Sequence, residues 1–421
     1  MNNRKLILLW VIALLISVSC SSCKDEVVDN LPDVTDYPVV GTNQSEAFDE
    51  MNVITKPVAG DPFFGQNANY SGKTPKYVKN DNGTVTDMVT GLMWQQTFDH
   101  NGDGSINVND KAVYSDLASI AESCTTGGFT DWRLPTIKEL YSLIMFSGKD
   151  VSNLMGSLSG GEIPFINTNY FDFAYGDVDA GERIIDVQCA TKTISVGVTQ
   201  ETLVFGVNFA DGRIKGYGVT MQGQPKKFNY LLVRGNQNYG VNHFVDNGDG
   251  TITDNATGLM WMKNDSQSGM IWKDALSYAE NFTFAGHNDW RLPDAKELQS
   301  IVDYTRSPQT SSYAAINSLF NCTSITNEAG EIDYPFYWSS TTHASSNVGH
   351  LGGWAVYVCF GRGMGYTSMF GSTATWVDVH GAGAQRSDPK SGDPTDFNTG
   401  NGPQGDAVRI NNYVRLVRKA Q

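Results

Sequence analysis

Asp-Trp-Arg-Leu-Pro occupies residues 131–135 and recurs unchanged at residues 289–293. Two further blocks keep the same order around both copies: Thr-Gly-Leu-Met-Trp at 90–94 and 257–261, and Lys-Glu-Leu at 138–140 and 296–298. Three ordered blocks at matching spacing identify a tandem duplication, because unrelated segments do not agree in this way by chance. We therefore predict two modules of similar fold, at residues 71–235 and 236–421.

Local patterns predict an α+β fold for each module. Thr136-x-x-Glu139 and Asp294-x-x-Glu297 are capping boxes, and each begins a helix just after a proline. An additional helix is predicted before each box, at about 110–123 and about 272–282. Period-two alternation beside turn residues predicts strands in four segments: 83–87, 250–254, 203–207 and 354–358. Each module should contain two short helices followed by a twisted antiparallel sheet.

Composition sets the class of protein and excludes several partners. A chain of 421 residues suits about two domains of ordinary size, and 40% hydrophobic residues are enough to build their cores. Lys and Arg number 30 against 45 Asp and Glu, which gives a net charge of −15. A nucleic-acid partner is excluded on this balance because no basic surface is available to neutralise phosphates. The same acidity disfavours long-range attraction to sulfated polymers.

The N-terminus predicts export and lipid anchoring. A basic start precedes an apolar run at 6–16, which is too short to span a bilayer, and small residues follow it. Residues 1–19 are predicted to be a lipoprotein signal peptide and Cys20 the lipidated residue, with Cys23 as the alternative. An ordinary cleaved signal peptide remains open. The mature protein is predicted to be anchored in the outer membrane by lipid alone, exposed at the cell surface.

Residues 20–70 are predicted to form a flexible tether. This stretch is acidic and contains Pro32, Pro38 and Pro57. It shows no sustained helix or strand period. An acidic stretch after the lipidated cysteine resembles the surface-export signals of Bacteroidetes lipoproteins.

The repeated blocks resemble a known family, that of the C-terminal domain of the Legionella collagen-like adhesin. The residues that carry the resemblance are Gly-Leu-Met-Trp, Asp-Trp-Arg-Leu-Pro-x-x-x-Glu-Leu, Tyr-Trp-Ser-Ser-Thr at 337–341 and the closing Tyr-Val-Arg-Leu-Val-Arg at 413–418. The resemblance implies a fold related to C-type lectins and to the formylglycine-generating enzyme. It also implies a binding role, since the named member binds glycosaminoglycans as an adhesin. This chain lacks a collagen-like stalk.

A calcium loop is predicted in the first module. Residues 99–110 fit the twelve-residue calcium loop, with Asp in place of Glu at the last position. Between Trp94 and Asp131 lie 36 residues, whereas 27 lie between Trp261 and Asp289, and the nine extra residues fall at this loop. A metal-free surface turn is the alternative. The predicted ligands of a structural calcium ion are Asp99, Asn101, Asp103, Ser105 through its backbone carbonyl, Asn107 and Asp110.

Four cysteines remain after the predicted processing, two in each module. An even count in an exported chain predicts one disulfide within each module, and reduced buried thiols are the alternative. The disulfide candidates are Cys124, Cys189, Cys322 and Cys359.

The tryptophan–arginine pairs of the repeated block are predicted to be structural. Trp132 and Trp290 come just before buried helices, and Arg133 and Arg291 can pair with a carboxylate or cap carbonyls inside the module. A ligand surface is predicted instead on the long Gly-rich loops of copy two, because aromatic faces beside Asp or Asn suit sugar rings. The predicted binding residues are Trp354, Tyr366, Trp376, Asp378 and Arg386. Copy one has shorter loops, which suggests a spacer.

Binding without catalysis is the function that these observations favour. No Ser/His/Asp signature, zinc motif or phosphate-binding loop is present in the sequence. The predicted partner is a glycan or an extracellular-matrix protein, and the oligomeric state stays open. A structural or assembly role at the envelope, in contact with another protein, is the second hypothesis. A degenerate enzyme of the formylglycine-generating-enzyme-like fold is the third.

Overall fold

A computed structural model describes residues 36–70, 72–154, 158–197, 202–221, 223–368 and 373–420. The predicted signal peptide and the lipidation site at Cys20, with its alternative Cys23, lie outside the described residues. The elements of the first half are β1 (Ala47–Phe48), β2 (Val53–Ile54), β3 (Tyr77–Lys79), β4 (Thr84–Asp87), β5 (Leu92–Gln95), β6 (Ala112–Val113), α1 (Leu117–Ser123), α2 (Ile137–Tyr141), β7 (Gln188–Ile194), β8 (Leu203–Asn208), β9 (Arg213–Gly218), β10 (Thr220–Met221), β11 (Gln224–Pro225), β12 (Lys227–Phe228) and β13 (Val233–Gly235).

The second half follows the same plan. Its elements are β14 (Phe244–Asp246), β15 (Thr251–Asp254), β16 (Leu259–Met262), α3 (Trp272–Glu280), α4 (Ala295–Ser300), α5 (Pro308–Ser311), β17 (Ile325–Thr326), β18 (Ile332–Asp333), β19 (Phe336–Thr342), β20 (Trp354–Cys359), β21 (Met364–Thr367), β22 (Thr375–Asp378), β23 (Gln385–Pro389) and β24 (Val417–Lys419). Short helices with many antiparallel strands confirm the α+β prediction. Within the described ranges no helix is long and apolar enough to cross a membrane.

Each copy contains a four-stranded antiparallel sheet made from the repeated blocks. The strand orders are β13-β5-β4-β3 and β14-β15-β16-β24. In the first sheet Trp94 pairs with Val85 and Val233, and in the second Trp261 pairs with Ile252 and Val417. Both tryptophans are fully buried, so the Gly-Leu-Met-Trp block forms the central strand and supplies a core side chain.

A six-stranded sheet joins the two copies into one body. Its order is β19-β20-β23-β9-β8-β7, in which the last three strands belong to copy one and the first three to copy two. Within its own copy, each of β23 and β9 is an edge strand. The two run antiparallel and pair at Gln385 and Ile214. Each copy thereby covers the open edge of the other, which would otherwise expose unpaired backbone groups.

Two duplicated lysines connect helices α2 and α4 across this junction. Lys138 Nζ donates to the carbonyl of Ser300, and Lys296 Nζ donates to the carbonyl of Ser142, both at 2.8 Å. Each lysine therefore caps the C-terminal end of the helix in the opposite copy, where unpaired carbonyls attract a cation. The exchange is reciprocal, as expected for a duplicated chain that pairs like a symmetric dimer.

The predicted tether through residue 70 is wrong from residue 36 onward. Tyr37, Val40 and Phe48 are buried. The Gln44 amide donates to the carbonyls of Phe146 in copy one and Thr342 in copy two, at 3.0 and 2.7 Å. The segment lies against both modules because its scattered apolar and amide groups have partners there. The prediction failed because it rested on the acidic composition of the segment as a whole and not on these individual residues.

The predicted helices differ in length from those observed. Both capping boxes are present, and helices α2 and α4 begin where the boxes predict. The helix predicted at about 110–123 is limited to α1, because 3₁₀ turns and the short strand β6 occupy residues 108–116. In copy two α3 matches its prediction closely.

Candidate functional site

A cleft of about 830 Å³ opens where the two copies meet. Strand β9 of copy one supplies Arg213, Lys215 and Tyr217 to it, and strand β23 of copy two supplies Arg386. These side chains converge because β9 and β23 are neighbours in the shared sheet. A volume of this size suits a ligand of small-molecule dimensions.

Ion pairs on the cleft wall fix the two arginines. Arg213 donates to Asp150 Oδ2 at 2.8 Å, and Asp211 lies 3.5 Å from its Nη1. Arg386 pairs with Asp406 through Nη2. His343 also lines the cleft. Burial and the Arg213 charge lower the pKa of His343 to about 3, so this imidazole is neutral at physiological pH.

Two lysines on the same cleft have no carboxylate partner among the described residues. Lys215 Nζ donates to the amide oxygen of Gln404 at 2.6 Å. Both Lys215 and Lys226 lie over the Tyr217 ring, with Nζ 5.3 and 4.8 Å from its centroid. Burial lowers the pKa of Lys215 to about 7, with help from the Arg386 charge, and lowers the pKa of Lys226 to about 8.

Some polar atoms of the cleft are buried without a hydrogen-bond partner. They are Nε and Nη1 of Arg386 and Oδ1 of Asp211. An unpaired buried donor or acceptor costs about 1–3 kcal/mol, and native proteins keep few of them. Burial also raises the pKa of Asp211. Arg386 and Asp211 both line the cleft, so these unpaired atoms lie beside the space that a bound molecule would occupy.

The structure divides the five predicted binding residues into two groups. Trp354 and Arg386 line the cleft. Tyr366 and Trp376 pair across the β21–β22 hairpin with ring centroids 5.4 Å apart, and neither side chain lines the cleft. Asp378 accepts hydrogen bonds from Gln309 and from loop amides, and burial raises its pKa to about 6.

Copy one supplies cleft residues that the sequence analysis missed. The alternation of Arg213, Lys215 and Tyr217 with small or apolar residues marks one polar face of a strand. That pattern was available in the sequence, but it could not show that β9 pairs with β23. Seven of the nine Asp, Glu, Lys and Arg residues that line the cleft belong to copy one, so copy one contributes more to this cleft than its interpretation as a spacer predicted.

The predicted calcium loop folds around its own backbone amides. Asp99 accepts from the amides of Gly102 and Gly104, and Asp110 accepts from those of His100, Asn101 and Asn107. Side chains of three other predicted ligands make short turns in the same loop: Asn101, Asp103 and Asn107. Across the described part of the chain, no three His, Cys, Asp or Glu side chains are grouped so that they could hold a metal ion. Calcium binding stays a prediction.

The tryptophan–arginine pairs lie inside the modules. Arg133 forms two hydrogen bonds with Glu139, at 2.8 and 2.6 Å, and Arg291 forms two with Glu297, both at 2.6 Å. The indole N–H of Trp132 donates to the carbonyl of Thr126 and that of Trp290 to the carbonyl of Phe284. Each glutamate is also the last member of a capping box, so the block joins strand, turn and helix.

The prediction of one disulfide per module is wrong, because all four described cysteines are free. In copy one Cys189 is buried in the core beside Val207, whereas Cys124 packs with the helix α1 core and contacts Thr126. In copy two the thiols likewise belong to different cores, Cys322 beside Arg415 and Cys359 in strand β20.

Thiol labelling should separate these cysteines. Burial raises the pKa of Cys189 and of Cys359, so we expect neither to react with iodoacetamide in the native protein at pH 8. Cys124 is only half-buried and should react first. Mass spectrometry of labelled peptides measures this order, with the urea-unfolded protein as the control in which all four react. A peptide pair linked by a disulfide in the native protein would contradict the structure.

Both copies match a known protein family. The family model described as the Lcl C-terminal domain matches residues 83–234 and 250–378, which together exceed half of the chain. This confirms the resemblance inferred from the repeated blocks. No curated protein and no solved structure matches the chain.

Proposed function

This chain belongs to the Lcl C-terminal domain family, and on that premise we propose that it is a non-enzymatic, adhesin-like protein that binds a glycan or an extracellular-matrix ligand. The observation that carries the proposal is the cleft between the copies, with Trp354 on its wall and unpaired polar atoms on its floor. A few directed polar groups beside an aromatic face are what a sugar-binding site needs.

A C-type-lectin-like fold is part of the same proposal. Each copy places short helices beside a twisted antiparallel sheet, and the cleft is bordered by long loops of copy two. Binding through loops held by a rigid sheet is common among recognition domains.

We propose that the protein is held at the outer face of the outer membrane by lipid on Cys20. Support comes from the signal-peptide pattern of residues 1–19 and the acidic residues that follow the cysteine. One lipid anchor leaves both copies free to meet a ligand outside the cell.

The absence of catalysis is also proposed, on the chemistry of the thiols. Burial raises the pKa of Cys189, Cys322 and Cys359, and a cysteine nucleophile needs the thiolate form. The competing hypotheses, an envelope assembly protein and a degenerate enzyme, remain outcomes of the test below.

An array of glycans and matrix proteins tests the proposal. We expect saturable binding of the purified protein to at least one member, and a loss of tenfold or more in affinity on Trp354→Ala, because that indole lines the cleft. Trp376→Ala is the matched control, since Trp376 does not line the cleft, and it should change affinity less than twofold.

Running the array with calcium and with chelator tests the loop at 99–110 in the same experiment. A structural calcium ion predicts weaker binding in chelator, and Asp103→Asn should remove that difference. A blank array with stable co-purification of an envelope protein would contradict ligand binding and favour assembly. Turnover of any array member would contradict the non-enzymatic role.

A further inference from the structure

We infer that the cleft between the copies binds a carboxylate-bearing sugar, with its carboxylate at Lys215 and Arg386 and a hydroxyl at Asp211. The inference rests on the proposed function and narrows its ligand class. Its first support is a pair of lysines on the cleft wall, Lys215 and Lys226, that have no carboxylate partner among the described residues.

Two of the basic side chains on the cleft wall have no carboxylate to balance them. That wall contains five basic side chains, Arg183, Arg213, Lys215, Lys226 and Arg386, and four acidic ones, Asp150, Glu182, Asp211 and Asp406. The arginines have carboxylate partners, but Lys215 and Lys226 have none among the described residues. An ammonium group in a partly enclosed site gains from a bound anion that replaces lost hydration.

Arg386 has donors left over after its ion pair. Nη2 contacts Asp406, whereas Nε and Nη1 are buried without a partner. Since a guanidinium keeps its charge at any pH that the folded protein experiences, these N–H groups need an acceptor, and a carboxylate supplies strong ones.

The remaining wall suits a sugar better than a simple inorganic anion. Asp211 Oδ1 is an unpaired acceptor that a hydroxyl can satisfy, whereas phosphate would place negative charge against it. Val151, Leu154 and Ile184 also line the cleft and pack in one apolar cluster, which can contact a sugar ring or an acyl group. Carboxylate, hydroxyls and an apolar face occur together in an acidic monosaccharide.

The charge of the whole chain favours a small acid over a polyanion. A long anionic polymer meets the overall charge of −15 along its length, whereas a monosaccharide acid inside the cleft senses charges within a Debye length of about 10 Å at 0.1 M salt. Local cations therefore decide the binding of the small ligand.

Isothermal titration of the detergent-purified full chain tests the inference. The probes are N-acetylneuraminic acid and glucuronic acid, with the neutral sugars N-acetylmannosamine and glucose, and inorganic phosphate as a simple anion. We expect at least one acid to bind at least tenfold more tightly than any neutral sugar or phosphate. Lys215→Met should reduce that affinity tenfold or more while leaving the unfolding temperature within a few degrees.

Lys227→Met is the matched control. Lys227 is exposed on strand β12 next to Lys226 and does not line the cleft, so its loss should leave acid binding unchanged. Lys226→Met provides a second cleft variant if the first fails to fold. Equal binding of acidic and neutral sugars, equal competition by phosphate, or full acid affinity in both lysine variants would overturn the inference.

The array and the titration fail in different ways. A neutral glycan bound in the array, lost on Trp354→Ala and unaffected by Lys215→Met, would overturn the acidic-sugar inference and keep the proposed function. An array without any glycan or matrix hit would contradict the proposed function, and titration of the free acids would still decide the inference.

Discussion

Glu297→Gln is expected to lower the free energy of unfolding by about 3 kcal/mol, because it leaves a buried guanidinium without its counter-charge. Glu297 and Arg291 are about nine-tenths buried and form two hydrogen bonds of 2.6 Å. Glutamine keeps an oxygen for the amide of Asp294, so the capping box survives and the loss reports the ion pair. Urea denaturation followed by tryptophan fluorescence measures the change.

Asp289→Asn provides the matched control within the same sequence block. Asp289 pairs with Arg418 at 2.7 Å; the arginine is buried, but the carboxylate is 58% exposed, so water can take its place at the guanidinium. Solvent screens such pairs, so we expect a loss below about 1 kcal/mol. If both variants lost the same free energy of unfolding, the Arg291–Glu297 pair would not be the main source of stability in this block.

Lys296→Met should be the second strongly destabilising change, by about 3 kcal/mol near pH 8. The side-chain nitrogen donates to the carbonyls of Ser142 and Gly41, at 2.8 and 3.3 Å, and methionine leaves both buried acceptors unpaired. Each such loss costs about 1–3 kcal/mol, partly offset because an amine no longer has to be desolvated. Since one acceptor belongs to the opposite copy, limited proteolysis should also cut sooner between the copies.

The cost of Lys296→Met should depend on pH in a defined direction. Burial lowers the pKa of Lys296 from 10.5 to about 7, so between these values the unfolded chain holds a proton that the native chain lacks. Stability from this group therefore rises as pH increases from 7 toward 10, and the gap between wild type and variant should widen. Urea titrations at pH 6.5, 8 and 9 measure it.

Lys76→Met is the control for this pH dependence. Lys76 is exposed, so its loss should leave the pH profile of the wild type unchanged. An identical slope in wild type and Lys296→Met between pH 7 and 9 would show that Lys296 keeps its proton in the folded state.

Prediction from sequence succeeded where the interactions are local. Thr136 and Glu139 satisfy each other's backbone amides within one helical turn, so the motif specifies its structure without distant partners. The same holds for the turns before β4 and β15, where Gly83 and Gly250 adopt positive φ. Predictions failed where a segment depends on remote partners, as with Gln44, whose amide bonds to carbonyls 102 and 298 residues away.

The candidate site shows the same division. Trp354 and Arg386 were predicted from loop composition, because aromatic and charged residues among glycines indicate binding surfaces. Lys215 was not predicted, because in the sequence it is a lysine in a strand and no neighbouring motif marks it as a binding residue. The thiols were assigned to pairs by count alone, although Cys124 and Cys189 belong to separate cores.

The sequence by itself determined the duplication, the family, the capping boxes and the hairpin strands of each copy. Their information lies in residue spacing and in hydrogen bonds between near neighbours along the chain. Tertiary structure decided that β9 pairs with β23, that residues 36–70 pack on both copies, and that Arg213, Lys215 and Arg386 share one cleft. These features arise from burying sheet edges and apolar surface between distant segments, and no local pattern specifies which segments meet.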